Sequence, residues 1–237
     1  MTIGIIGAMI EEISPLIEFF QTRGFAIEVS NLGGNSYHKV EINSHKLFVA
    51  YSKIGKVHAA ITATMMVSHF GCEQIIFTGV AGGLDSSLKV GDLLIATKLL
   101  QHDVDISAFG HPLGFIPESK LYLQADERLN TLAKQVAKSL GRELKTGIIA
   151  SGDQFICDED KKRWIAQNFQ AVAVEMEGAS VAVVCDSFRI PFCILRSISD
   201  SADGKADVSF DEFLGQAAKL SAQFSIELIK ALGVEFA

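Results

Sequence analysis

The feature that most constrains this chain is an alternation: short, largely apolar runs of strand length take turns with longer stretches of helical periodicity. Ile3 to Gly7, Ile75 to Thr78, Asp92 to Thr97, Thr146 to Ser151, Ala171 to Val174 and Phe192 to Ser199 are runs of the first kind. Helical spacing covers Met9 to Phe20, Gly55 to Phe70, Asp126 to Leu140, where Asp126 is the N-cap, and Gly178 to Phe188. The second and fourth of these are apolar on most faces and are expected to be buried. A last helix is expected from near Ser209, where Ser209 and Glu212 have capping-box spacing, to about Leu232. Tyr37 to Ile42 and Lys46 to Tyr51 read as a hairpin turning at Asn43-Ser44. Parallel strands need crossover connections, so strands alternating with helices imply a largely parallel sheet covered on both faces. The hairpin makes that sheet mixed. The expectation is an α/β chain: one domain over residues 1–237, three layers, with a central mixed, largely parallel twisted sheet flanked by helices. No repeat or linker divides it. Gln101 to Lys120, with Gly110, Pro112, Gly114 and Pro117, is the longest irregular stretch, and a loop that long is usually functional or an interface.

Composition narrows the function. A chain of 237 residues, 49% of them hydrophobic, sustains one sizeable core. A formal charge of −7 argues against nucleic acid or an anionic membrane as partner, since both need a positive field. Val57 to Cys72 holds two histidines and several hydroxyls and falls short of the ~18–20 apolar residues of a membrane span. The N-terminus has no basic region and reaches Glu11 and Glu12 almost at once, so it does not read as a signal peptide. Cys72, Cys157, Cys185 and Cys193 show no C-x-x-C pairing and read as reduced thiols of a cytoplasmic protein. His102-Asp103-Val104-Asp105 lacks the further ligands of a metal site, and no metal is expected.

In α/β sheets ligands collect beyond the carboxyl ends of strands. The segments there are Gly7-Ala8-Met9 with Glu12, Thr78 to Gly83, Val174 to Gly178, and Arg196 to Asp200. Gly79, Gly82 and Gly83 permit close backbone approach, although alone they read as a strand-to-loop turn and match no phosphate-binding fingerprint. Glu175 and Glu177 are two apart and share one face of an extended backbone, where two carboxylates could clasp vicinal hydroxyls. They equally suit the start of the following helix, where the macrodipole favours acids. Glu12, in a first helical turn, is either such a residue or an ionised group that orients a water. Asp200 ends a buried run and is either a general acid or a turn residue of the Asp200-Ser201-Ala202-Asp203-Gly204 stretch. Phe155 is a base-stacking ring or part of the core.

Taken together these stretches resemble a known family. Ile3 to Met9 with Glu12, Ser52-Lys53-Ile54-Gly55-Lys56-Val57, Gly79-Val80-Ala81-Gly82-Gly83-Leu84, Ser151-Gly152-Asp153-Gln154-Phe155, Val174-Glu175-Met176-Glu177, Arg196-Ser197-Ile198-Ser199-Asp200 and Ser209-Phe210-Asp211-Glu212-Phe213 resemble motifs of the 5′-methylthioadenosine/S-adenosylhomocysteine nucleosidases, within the nucleoside phosphorylase superfamily. The resemblance implies a nucleoside phosphorylase-like fold and cofactor-free hydrolysis of the N-ribosidic bond of adenine nucleosides, 5′-deoxyadenosine included. Asp200 would protonate adenine N7, with Ser199 holding its geometry; Phe155 would stack on the base and the Ile156 backbone would read its edge. Glu177 would hold the ribose hydroxyls, with Met176 against the sugar and Glu175 and Arg196 beside them. Glu12 would position the water. Met9, Ile54 and Phe210 would line the sugar and 5′-substituent pocket, and Ala8, Val80, Ala81, Gly82 and Ala202 complete the substrate-binding set. Ile106, Phe109 and Pro117 match residues that a neighbouring subunit contributes, which implies a homodimer with shared sites. Many relatives carry Ser where this chain has Val80. With Gln101 to Asp105 and His111 to Pro117, Val80 resembles a branch that also cleaves 6-amino-6-deoxyfutalosine on a route to menaquinone.

The nearest rival is a purine nucleoside phosphorylase, which needs Arg and hydroxyl donors for phosphate where Val80 supplies none and Glu12 repels. A non-catalytic nucleoside sensor would keep Phe155 and Glu177 without needing Glu12 and Asp200 together. A NAD-binding module lacks its fingerprint.

Overall fold

The computed structural model describes residues 1–202 and 206–236, and for 206–209 the backbone alone. The isoleucine-rich N-terminal run forms β1 (Thr2–Gly7), which lies inside the sheet with a parallel neighbour on each side and is buried on both faces by the helices that cover the sheet. α1 (Ile10–Thr22) follows and buries Ile13, Leu16 and Phe20 along one stripe. Then come β2 (Ile27–Leu32), β3 (Asn35–Ile42) and β4 (His45–Tyr51), an antiparallel meander with Asn43 left-handed at the β3–β4 turn. The remaining elements are α2 (Lys56–Ser68), β5 (Gln74–Phe77), β6 (Val80–Gly83), β7 (Leu93–Gln101), a 3-10 turn at Ser107–Phe109, β8 (Leu123–Gln124), α3 (Glu127–Ser139), β9 (Leu144–Ser151), α4 (Glu159–Phe169), β10 (Ala171–Glu175), α5 (Gly178–Phe188), β11 (Phe192–Asp200) and α6 (Ala206–Ala231).

The strands form one mixed sheet in the order β2-β3-β4-β1-β5-β11-β6-β10-β9-β7-β8. Parallel pairs run through β4-β1-β5-β11 and β10-β9-β7. β11 also pairs with β7, so β11, β6, β10, β9 and β7 close into a ring. Helices cover both faces. α1, α3 and α6 pack one side through Leu16, Leu129 and Ile229, and α2 and α5 pack the other through Met66 and Val181. No helix among the described residues is long and apolar enough to cross a membrane.

Several expectations shift. α6 already includes Ala206, so Ser209 lies within the helix rather than at its start; the Ser209 side chain, and Asp203 and Gly204, lie outside the described residues. Burial of α2 is partial: Ala59, Ala63 and Met66 are inside, whereas Val57 is 67% exposed and Ile61 is exposed as well. The glycine segment is a strand, not only a turn, because β10 and β11 pair with its two edges. β2, β8 and α4 carried too weak a pattern to be expected. β2 is mostly exposed, β8 has two residues, and α4 buries only Ile165 and Phe169. α4 nevertheless has a cap visible in sequence, Asp158, whose carboxylate accepts from the Lys161 N–H at 2.8 Å.

Candidate active site

The carboxyl ends of β1, β10 and β11 converge with β6 around a cavity of about 310 Å³. Its wall takes Ala8, Met9 and Glu12 from the β1–α1 corner, Val80, Ala81 and Gly82 from β6, and Glu175, Met176 and Glu177 from the β10–α5 corner. Ser199 and Asp200 come from the end of β11, Phe155 and Ile156 from the loop after β9, Ile54 from the β4–α2 connection and Phe210 from α6. Thus most of the residues expected at the site share one cavity. Arg196 and Ala202 stand behind it, and Ile106, Phe109 and Pro117 lie in the 102–122 segment outside its lining. Gln154 and Val174 line it too and were not singled out, although both sit inside the recognised stretches.

Glu12 folds back from the first turn of α1. Its Oε2 accepts from the Ala8 and Met9 N–H groups at 2.5 and 3.0 Å, and its Oε1 from the Val80 N–H at 3.0 Å. It is buried, and burial drives its pKa above the ordinary glutamate range even though the Arg196 charge and those three N–H groups pull it down. A Cβ on Gly79 would lie 2.5 Å from Glu12 Oε1 and one on Gly82 would lie 2.8 Å from Asp200 Oδ1. The glycines make room for two carboxylates. This is a role that spacing alone did not reveal.

Asp200 is buried, with Ser199 Oγ donating to Oδ2 at 2.8 Å and the Ala202 N–H to Oδ1 at 2.7 Å. Ser199 and Ala202 thereby fix the rotation of the carboxyl group.

The two glutamates of β10–α5 have different fates. Glu175 accepts from Ser151 Oγ, from the Gly178 N–H on both oxygens, from the Glu177 N–H and from Arg196 Nη2, at 2.5 Å for the last. Arg196 in turn donates to the carbonyls of Phe77 and Leu195 and lies 4.2 Å from the Phe77 ring centroid. With both oxygens occupied by protein donors, Glu175 anchors the start of α5, the helix-start role that the sequence left open for it. Glu177 accepts from the Gly55 N–H at 2.8 Å and reaches the cavity. Its carboxyl is pushed up to about 8, chiefly by burial and then by the Glu175 charge, against the Gly55 N–H and Arg196. Ser151 and Gly55, both in the recognised stretches, are thus supporting residues that sequence reasoning passed over.

Phe155 is 45% exposed and meets Phe210 edge-on at 5.5 Å, which leaves a ring face for a flat ligand. The Val80 side chain packs with Ala217, Ala218 and Leu214 of α6, so this end of the cavity is apolar. Among the described residues of the lining there is no Lys, Arg or His. The His102 to Asp105 motif stays outside. Asp103 takes Lys56 and the Asp153 N–H, and Asp105 takes the Ser107 N–H, so their carboxylates serve the loop itself.

A family model described as the phosphorylase superfamily matches residues 2–232. An aminodeoxyfutalosine nucleosidase of Helicobacter pylori is 53% identical over 97% of this chain and 99% of its own. A 5′-methylthioadenosine/S-adenosylhomocysteine nucleosidase of Staphylococcus carnosus is 42% identical over 97% and 100%. Among solved structures, a mutant Helicobacter pylori 5′-methylthioadenosine/S-adenosylhomocysteine nucleosidase with 5′-methylthioadenosine in its active site matches with a TM-score of 0.94. It is 52% identical, and the match covers 97% of this chain and 98% of that one. A doubly covered mixed sheet with a carboxylate-lined cavity at its strand ends defines an α/β enzyme of nucleoside phosphorylase type. The chain belongs to the phosphorylase superfamily.

Proposed function

We propose that this protein is a nucleosidase that hydrolyses the N-ribosidic bond of adenine nucleosides, 5′-methylthioadenosine, S-adenosylhomocysteine, 5′-deoxyadenosine and 6-amino-6-deoxyfutalosine among them. The observation that carries this is the set of three buried carboxyl groups, Glu12, Glu177 and Asp200, lining one cavity without a cation among its described residues. Such a lining favours a positively charged, oxocarbenium-like sugar and disfavours phosphate as nucleophile. The names of the relatives, all nucleosidases, support the same reading.

Adenine leaves poorly as an anion. Asp200 gives its proton to N7 as the C1′–N9 bond breaks and its electrons pass to the base, with Phe155 stacked on the ring and the Ile156 backbone along its edge. Glu177 holds the ribose hydroxyls and Met176 packs on the sugar. Glu12 orients a water whose oxygen bonds to C1′ and whose proton it accepts, so the products are adenine and a 5-substituted ribose. The 5′ group extends past Met9, Ile54 and Phe210 toward Val80, where an apolar wall tolerates varied substituents.

The active unit is a homodimer in the cytoplasm. Phe109 is 81% exposed, Ile54, Val57 and Ile61 are exposed in and just before α2, and the Lys56–Asp103 ion pair ties the start of α2 to the segment that carries Phe109, which supports a face that a second copy covers. Ile106, Phe109 and Pro117 of each copy then complete the other's pocket. Asp200→Asn is expected to slow adenine release from 5′-methylthioadenosine at least ~10²–10⁴-fold, with the nucleoside still bound in a calorimetric titration. Near-normal turnover by that variant removes Asp200 as the acid.

A further inference from the structure

Three charged residues behind the cavity wall form a closed set of contacts that the chemistry above does not use. Lys56 Nζ donates to Asp103 Oδ1 at 2.6 Å and to Gln101 Oε1 at 3.0 Å. Asp103 Oδ2 accepts from the Asp153 N–H at 2.9 Å, and Asp153 Oδ1 accepts from the Lys56 N–H at 2.7 Å. The Lys56–Asp103 ion pair is mostly shielded from water, at 16% and 14% side-chain exposure. Burial would raise the Asp103 carboxyl, but Lys56 and the Asp153 N–H outweigh it and hold it below its usual range.

The position of this set gives it consequences on both sides of the cavity. Gly55, next to Lys56, donates its N–H to Glu177. Asp153 leads directly into Gln154, Phe155 and Ile156 of the cavity wall. Between β4 and α2 the backbone has positive φ at Gly55 (φ 99), which glycine adopts freely, and at Lys53 (φ 74), which a non-glycine residue holds only where contacts over-determine it. A Cβ at Gly55 would stand 3.1 Å from Asp153 Oδ1, so the two segments pack closely there.

We propose that Asp153, fixed by Lys56 and Asp103, is a positioning residue that holds the Gly55 N–H on Glu177 and keeps the Phe155 loop in register with the ribose side. This rests on the nucleosidase reading for its kinetic consequences, not for its geometry. The charged groups facing Glu177 are Glu175 on β10, Arg196 on β11 and Glu12 on α1. Of these only Arg196 favours the ionised form, and the Gly55 N–H is the other group that does. Releasing that N–H therefore makes Glu177 harder to ionise and loosens its grip on the ribose hydroxyls.

The test compares Asp153→Ala, which loses the acceptor, with Asp153→Asn, whose Oδ1 can still accept from the Lys56 N–H. Adenine release from 5′-methylthioadenosine gives kcat and KM, and carboxyl 13C shifts follow the titration of Glu177. Asp153→Ala is expected to raise KM roughly tenfold with a smaller change in kcat. The same variant makes Glu177 titrate at higher pH than in the wild type, and Asp153→Asn restores most of both. A loss of thermal stability with KM and the Glu177 titration unchanged overturns the proposal. If Asp153→Ala does not fold, Lys56→Met, with Asp153 in place, is read the same way. A wild-type protein that releases no adenine defeats the nucleosidase reading, while the Glu177 titration in these variants still decides the positioning role.

Discussion

Glu177 shows how a single buried carboxyl links function to stability. Burial, and after it the Glu175 charge, raise it from the ordinary 4.5 to about 8. Between those values the folded chain binds a proton that the unfolded chain has released. Stability therefore falls as pH rises through that window and levels off above it. Glu12, also raised by burial, adds to the same slope. Melting temperatures measured from about pH 5 to 9 are expected to decline with pH, and Glu177→Gln, which cannot ionise, is expected to flatten much of the decline. An unchanged slope in that variant means Glu177 is not the group responsible. The neighbouring glutamate carries the contrary lesson. A spacing of two put Glu175 and Glu177 on one face in the sequence, yet Arg196 and Ser151, distant in sequence, take up Glu175 and leave Glu177 alone to meet a ligand. No local pattern announces which of two equal residues a remote arginine will claim.

At the scale of elements, β6 and the turn before it matter most to the site. They present the Val80 N–H to Glu12, the Ala81 carbonyl to Ser199, and bare Cα positions at Gly79 and Gly82 where carboxylates stand. Gly79→Ala puts a methyl group against the Glu12 carboxylate. Adenine release is then expected to fall by about 10²-fold or more in steady-state assays, because a displaced group loses its proton-transfer role. Wild-type rates would mean that Glu12 tolerates displacement. The strands and helices with strong periodicity were legible: the β3–β4 hairpin, the Asp126-capped α3 and the apolar β11 all lie where the sequence placed them. β6 was not, because four small or glycine-rich residues carry no alternation, and their pairing partners β10 and β11 lie far along the chain. α2 was legible as a helix, but the exposure of its Val57 and Ile61 was not, since an apolar residue facing outward reads in sequence like one facing the core.

Across the whole molecule, the ring of β11, β6, β10, β9 and β7 gathers chain segments from Ala8 to Phe210 into one acidic cavity. Most of those segments were readable because they are short motifs at strand ends, and Phe210 of α6 because its stretch belongs to the same set of motifs. The ties between them, such as Gly55 to Glu177 or Ser151 to Glu175, belong to the three-dimensional arrangement and leave little trace in one-dimensional order. The family includes phosphate-using enzymes by its name, so the account turns on what attacks the sugar. Among the described residues, Arg196 is committed to Glu175 and Lys56 to Asp103. The direct measurement is product analysis after incubation with 5′-methylthioadenosine, with inorganic phosphate either absent or in excess. Adenine and free 5-methylthioribose at the same rate in both are predicted; release that requires phosphate and yields a ribose 1-phosphate would contradict the account.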